Sequence, residues 1–232
     1  MATAEKATPL AHPVLSAHAE DVQRAFEQLR LIKAQLASRG WFPATSGNLS
    51  LLVASEPRVI AVTASGKDKS EQTPEDFLLV SDDGTPLLST RLKPSAETLI
   101  HTALYRRFSD CRAVFHVHTV ANNVISELYA REGRVRFQRH ELIKALGIWE
   151  EDAVIGVPIV ENDPDIPALA KAISREADPR VPGVLIRNHG IYAWGNSAFA
   201  AKRHLEAFEF LFEYHLRLLT AQSARSSPAH HA

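Results

Sequence analysis

Apolar positions recur at helical spacing through Val22, Phe26, Leu29, Ile32, Lys33 and Leu36. They predict a helix capped by Ser16, running to about Arg39 and stopped by Gly40. After it the pattern changes to short runs of mostly apolar residues. Asn48 leads into one, and Arg58 to Thr63, Phe77 to Ser81, Ala113 to Phe115, Arg136 to Arg139, Ala153 to Val160, Val184 to Ile186 and Ile191 to Trp194 are others. Runs of this length bounded by Gly, Pro, Asn or Ser read as strands. Asp82-Asp83-Gly84-Thr85 between two apolar pieces, the second being Pro86-Leu87-Leu88, predicts a hairpin. Helical spacing returns between Pro94 and Phe108, Val120 and Ala130, and Asp165 and Ala177. A short turn is expected from His140 to Leu146, and a last helix from the Ser197 cap to about Thr220. Strands with interspersed helices and one hairpin predict an α/β fold in α/β/α layers, with a mixed, largely antiparallel central sheet covered by helices. The expected organisation is a loose arm over 1–13, one domain over 14–222 and a polar tail over 223–232.

The strand ending at Phe115 continues into His116-Val117-His118-Thr119. Side chains at i and i+2 of a strand share a face, so His116 and His118 project together while Val117 points into the core. Two such imidazoles can hold one divalent cation, with Zn–N bonds of about 2.0–2.1 Å, or simply be two partly buried histidines. Two other segments tilt the choice towards a metal. Asn188-His189-Gly190 forms the turn between two predicted strands and offers a third nitrogen. Lys93-Pro94-Ser95-Ala96-Glu97 offers a carboxylate, Glu97, beside a helix start.

Three loops have the chemistry to hold an anion: Ser46-Gly47-Asn48, Ser65-Gly66-Lys67 and Pro94-Ser95-Ala96. Glycine lets backbone approach closely, hydroxyl and amide groups donate, and a helix start offers free N–H groups. His140-Glu141-Leu142-Ile143-Lys144 begins like the zinc-protease helix, but Lys144 stands where the second His is required. Glu141 remains as a general acid or base. His12, His18, His101, His204, His215, His230 and His231 read as structural, surface or tail residues.

Composition narrows the function classes. Net charge is −1 with no basic block, which gives no electrostatic case for nucleic acid or an anionic membrane. A single cysteine, Cys111, excludes an internal disulfide framework and fits a reducing compartment. Its place at the start of the His116 strand suits a small core residue. The first residues lack the apolar core of a signal peptide, and no apolar run is long enough to span a bilayer. The expectation is a cytoplasmic protein.

Together these motifs resemble the class II aldolase/adducin family of zinc-dependent sugar-phosphate enzymes. The resemblance runs from about residue 20 to residue 220. It rests on Ala44-Thr45-Ser46-Gly47-Asn48, Thr63 to Lys69, Lys93 to Thr98, His116-Val117-His118, His140 to Leu146 and Asn188 to Gly195. It implies one Zn²⁺ held by His116, His118 and His189, and a substrate phosphate held by Gly47, Asn48, Ser65, Gly66, Lys67 and Ser95. It also implies a homotetramer with active sites near subunit interfaces. The segment around Glu141 and Tyr192-Ala193-Trp194-Gly195 resembles the branch that dehydrates 5-methylthioribulose 1-phosphate in methionine salvage. For that reaction Glu141 is the first candidate for proton transfer and Glu97 the second. Trp41, Phe42 and Trp149 are candidates to receive the methylthio group. The alternatives are retro-aldol cleavage or 4-epimerisation of a sugar phosphate, and a non-catalytic adducin-like module. The segment 223–232 lacks the tyrosine that the aldolase branch supplies near its C-terminus, which weighs against cleavage.

Overall fold

The computed structural model describes residues 18–226, so the predicted arm and the Ser16 cap lie outside the described residues. Among those residues, eight strands form one sheet: β1 (Asn48–Ser55), β2 (Arg58–Thr63), β3 (Phe77–Val80), β4 (Ala113–Val117), β5 (Arg134–Gln138), β6 (Val154–Val160), β7 (Gly183–Ile186) and β8 (Gly190–Gly195). Their order is β3-β2-β1-β4-β8-β7-β6-β5. Only β6 and β7 pair in parallel; the other neighbours are antiparallel. The predicted mixed, largely antiparallel sheet is therefore present.

Five helices cover it: α1 (Ala19–Ala37), α2 (Thr98–Arg107), α3 (Val120–Leu128), α4 (Ile166–Glu176) and α5 (Ala198–Ser226). On one face Phe115, Ile191 and Ala193 pack with Leu29 and Leu36 of α1, Ile125 of α3, and Phe208 and Phe212 of α5. On the other, Val114, Tyr192 and Trp194 pack with Ile100 and Leu104 of α2, and Leu169 and Ile173 of α4. Helices on both faces explain why the central strands read as continuous apolar runs and not as alternating ones. Truncating Phe208 or Phe212 to Ala would cost about 3–5 kcal/mol.

Several element ends differ from the sequence expectation. Helix α2 begins at Thr98, not Pro94, because the preceding segment pairs with the end of β2. Ser65 N–H donates to Lys93 O (2.9 Å), Ser95 N–H donates to Thr63 O (3.1 Å), and Ala64 and Pro94 form an isolated bridge. The turn after β3 forms, but its return arm reduces to a bridge between Val80 and Pro86, with Leu87 N–H bonded to Leu79 O. Proline has no N–H to continue the ladder. Helix α5 is capped as expected, Ser197 Oγ accepting from Ala200 N–H (3.1 Å), but runs on to Ser226.

Strand register brings several element ends to one edge of the sheet. The start of β1 faces the end of β4 (Asn48 opposite His116), and the end of β4 faces the start of β8 (Val117 opposite Ile191). The ends of β2, β6 and β7 lie at the same edge. One further device orders the connection from β2 to β3. Lys33 of α1 and Asp76, both buried, pair at 2.6 Å. Thr73 donates to Asp76 through N–H and hydroxyl, and Lys33 also reaches Glu71 O. Removing one partner would strand a buried charge, at a cost of about 3–5 kcal/mol.

Candidate metal centre and substrate site

His116 is the fully buried last-but-one residue of β4, His118 lies just past the strand end, and His189 sits in the turn between β7 and β8. That turn approaches because residue 190 is glycine. A Cβ there would lie 2.4 Å from Val117 O and 2.8 Å from His116 Cε1. The three imidazoles each offer a nitrogen, all within 4.8 Å of one another. Two outward nitrogens are already engaged: His116 Nδ1–H donates to Ile191 O (3.0 Å), and His189 Nδ1–H to Asn162 Oδ1 (3.2 Å). This leaves Nε2 of each facing inward, the arrangement that fixes the ligating tautomer in metal sites. His116 Nε2 and His118 Nε2 face each other at 2.8 Å. Burial holds the His116 imidazole well below the usual histidine range, and burial together with the His116 neighbour brings His118 down to about 3. Two neutral, inward-facing imidazoles with a third beside them fit a divalent cation.

Glu97, the N-cap residue of α2, is mostly buried against this group. Its Oε1 lies 3.2 Å from His189 Nε2 and its Oε2 3.4 Å from His116 Nε2. Oε2 also accepts from Asn48 Nδ2 (2.6 Å) and from the Tyr192 hydroxyl (3.1 Å). The Tyr192 ring stacks on His116 with centroids 4.1 Å apart.

The three predicted anion loops come together here. Asn48 is bonded to Glu97, two residues from Ser95, whose own Oγ accepts from Glu97 N–H (3.3 Å). Ser65 is tied to the Ser95 segment through the bridge described above. The third link is Lys69, whose Nζ donates to Thr45 O (2.7 Å). At Gly47 (φ +73°) a Cβ would meet Phe42 at 2.5 Å and His116 O at 2.8 Å, so the loop depends on glycine there. Ser46 Oγ is buried with no hydrogen-bond partner among the described residues.

Three predicted residues, Lys67, Glu141 and Trp149, fall elsewhere. Lys67 turns outward to the exposed Glu75 (2.7 Å), and the buried cation of the loop is Lys69. Burial, then the nearby Lys33 charge, lowers the Lys69 ammonium to about 8. Sequence reasoning missed Lys69 and Tyr192; Lys69 differs from Lys67 only in which way its side chain turns. Glu141 follows the end of β5 that pairs with the start of β6, the sheet edge opposite the triad. Its carboxylate is 76% exposed and paired with Lys144 (2.9 Å). Trp149, just beyond that turn, is exposed. Trp41 lies at the site, its carbonyl accepting from His118 N–H (3.1 Å), and Phe42 lies beside Gly47. Cys111 is buried, and burial pushes its thiol up to about 12, as suits a core residue.

The chain belongs to the class II aldolase and adducin N-terminal domain family, whose pattern matches residues 27–216. Within it, the chain is 55% identical over 201 residues to the methylthioribulose-1-phosphate dehydratase of Bacillus subtilis, covering 86% of this chain and 96% of that one. It is 54% identical over 195 residues to the Persephonella marina protein of the same name, covering 84% and 90%. Among solved structures, YgbL from Escherichia coli, a putative aldolase/epimerase/decarboxylase, superposes with a TM-score of 0.72 at 26% identity, covering 86% of this chain and 91% of that one. The L-fuculose-1-phosphate aldolase of Thermus thermophilus shares the fold, with a TM-score of 0.67 at 24% identity over 87% and 98%.

Proposed function

We propose that this protein is a hydro-lyase that converts 5-methylthioribulose 1-phosphate to 5-methylthio-2,3-dioxopentyl phosphate, a step of methionine salvage. The reading is carried by one observation: a histidine triad and a carboxylate meet three donor-rich loops at one sheet edge. The similarity to dehydratases over most of the chain selects the reaction.

His116, His118 and His189 would hold one Zn²⁺, which when bound supplies Lewis-acid polarisation of a substrate carbonyl. A base takes the proton from C3. The C3–C4 double bond forms as the C4 hydroxyl leaves, protonated, as water, and the C3 enol becomes the second ketone. Glu141 is assigned the proton transfers and Glu97 is the second candidate. Because Glu141 stands at the opposite edge from its own triad, it serves the site of a neighbouring copy in a homo-oligomer, taken here as a tetramer. Ser46, Gly47, Asn48, Ser65, Gly66 and Ser95 surround the phosphate, and Lys69, in place of Lys67, supplies its cation. Trp41 and Phe42 flank the same space and suit the methylthio end. No helix of the described residues is long and apolar enough to cross a membrane, and a cytoplasmic setting fits the substrate.

The test is turnover by purified, zinc-loaded protein of 5-methylthioribulose 1-phosphate, fuculose 1-phosphate and ribulose 5-phosphate. Dehydration of the first alone is the expected result. Cleavage or epimerisation of either of the others, with the first untouched, would transfer the protein to the rival activities.

A further inference from the structure

Helix α2 buries a histidine. His101 is fully enclosed, yet both ring nitrogens have partners: Nδ1 lies 2.7 Å from Ser50 Oγ, and Nε2 lies 2.5 Å from Asn48 Oδ1. The direction of each bond follows from the last member of the chain. A carboxylate only accepts, so the amide nitrogen of Asn48 faces Glu97 and its oxygen faces His101. The His101 hydrogen is then on Nε2, Nδ1 accepts from the Ser50 hydroxyl, and Ser50 accepts from Tyr105 (2.8 Å). Tyr105, Ser50, His101 and Asn48 thus form one buried line of donors ending on Glu97 Oε2. Glu97 Oε1 is the oxygen left towards His189.

We propose that His101 is a positioning residue that, through the Asn48 amide, sets which way the Glu97 carboxylate presents its oxygens to the metal-binding group. The inference rests on the reading of that group as the reacting centre. Without the Nε2–H, the Asn48 oxygen keeps only a long contact from the Tyr192 hydroxyl (3.5 Å). That oxygen can then turn to Glu97, where two acceptors repel. The edge-to-face contact of His101 with Tyr192 (centroids 5.5 Å apart) adds a second path to the same oxygen, because Tyr192 also donates to Oε2.

The test compares His101→Phe, which keeps ring volume and loses both nitrogens, with His101→Gln, whose amide N–H can reach Asn48 Oδ1. Partners one step removed from a metal centre typically contribute about 10–100-fold to activity or metal affinity. His101→Phe is expected to lower kcat by that factor with zinc content kept and KM little changed, and His101→Gln to recover most of it. Wild-type kcat in the Phe variant at full zinc content overturns the proposal. So does a Gln variant no better than Phe when both have lost the same thermal stability. If His101→Phe does not fold, His101→Leu carries the test: it likewise removes the Nε2–H that Asn48 Oδ1 accepts, and an unchanged kcat overturns the proposal. The side-chain amide proton signals of Asn48 give a readout independent of the substrate. They should move in His101→Phe and return in His101→Gln, and unmoved signals overturn the proposal. If wild-type protein is inert towards the ketose phosphate, the dehydratase reading fails, and these signals alone decide the role of His101.

Discussion

Glu97 and Glu141 are both glutamates at the start of a helical segment, and their surroundings are opposite. Glu97 is enclosed by Asn48, Tyr192, His116 and His189, brought together from β1, β4, β8 and the turn between β7 and β8. Glu141 stands in solvent with Lys144, three residues along its own turn. An exposed pair of this kind contributes about 0–1 kcal/mol and fixes little. The contrast separates two settings for a carboxylate. One is built by long-range sheet pairing and is complete within the chain; the other is left open, and gains an environment only when something else covers it.

The largest effects should come from taking the two regions apart. His118→Ala should lose zinc, measured by metal analysis, and lower turnover by on the order of 10³-fold, since metal polarisation is worth several kcal/mol. Glu141→Gln should lower turnover by about 10²–10⁴-fold with zinc retained. Mixing the two inactive proteins under subunit exchange should then restore activity, because some sites join an intact triad from one copy to an intact Glu141 from another. No recovery in verified mixed oligomers would mean that Glu141 does not act across subunits.

The next effect concerns stability. Glu209 of α5 is buried beneath the H-x-H segment, accepting from the Thr119 hydroxyl (2.7 Å) and Asn122 Nδ2 (2.8 Å). Burial raises its carboxyl from 4.5 to about 7, despite those two hydrogen bonds. The folded chain therefore holds a proton that the unfolded chain has released between these values. Its contribution is complete below about pH 4.5 and is lost as pH rises through 7, a change of about 3 kcal/mol. Denaturant titrations of Glu209→Gln across that window should lack this slope, and an identical slope in both proteins would locate the titration elsewhere.

The smallest effects sharpen the comparison within one loop. Lys69→Met should raise KM for the phosphorylated substrate by about 10–100-fold, the size of a charge-assisted hydrogen bond. Lys67→Met, which removes only an exposed pair with Glu75, should leave KM and stability near wild type. The reverse ranking would return the phosphate to Lys67.

These two lysines show where sequence reasoning stops. The Ser65-Gly66-Lys67-Asp68-Lys69 loop was legible as donor-rich, but the inward lysine is selected by the fold of the connection, which a Lys33–Asp76 pair far apart in the chain secures. The H-x-H strand was legible because strand geometry alone puts its histidines on one face. The turn at His189 was legible because two apolar runs bracket Asn-His-Gly. The start of α2 was not, since local sequence favours Pro94 while backbone bonds to Thr63 and from Ser65 hold that segment against β2. His101 looked like any helix histidine, because Ser50 and Asn48 reach it only through the folded sheet.

Gly190 bears on how this protein can vary. It carries no side chain of its own, yet any side chain there would press into Val117 O, His116 and His118 at once. The β7–β8 turn would have to retreat, taking His189 with it. A survey of random substitutions would therefore score position 190 alongside the three histidines. The mutational footprint of the histidine group is thus larger than the group itself, and a lineage that changes this glycine separates the three imidazoles without altering one of them.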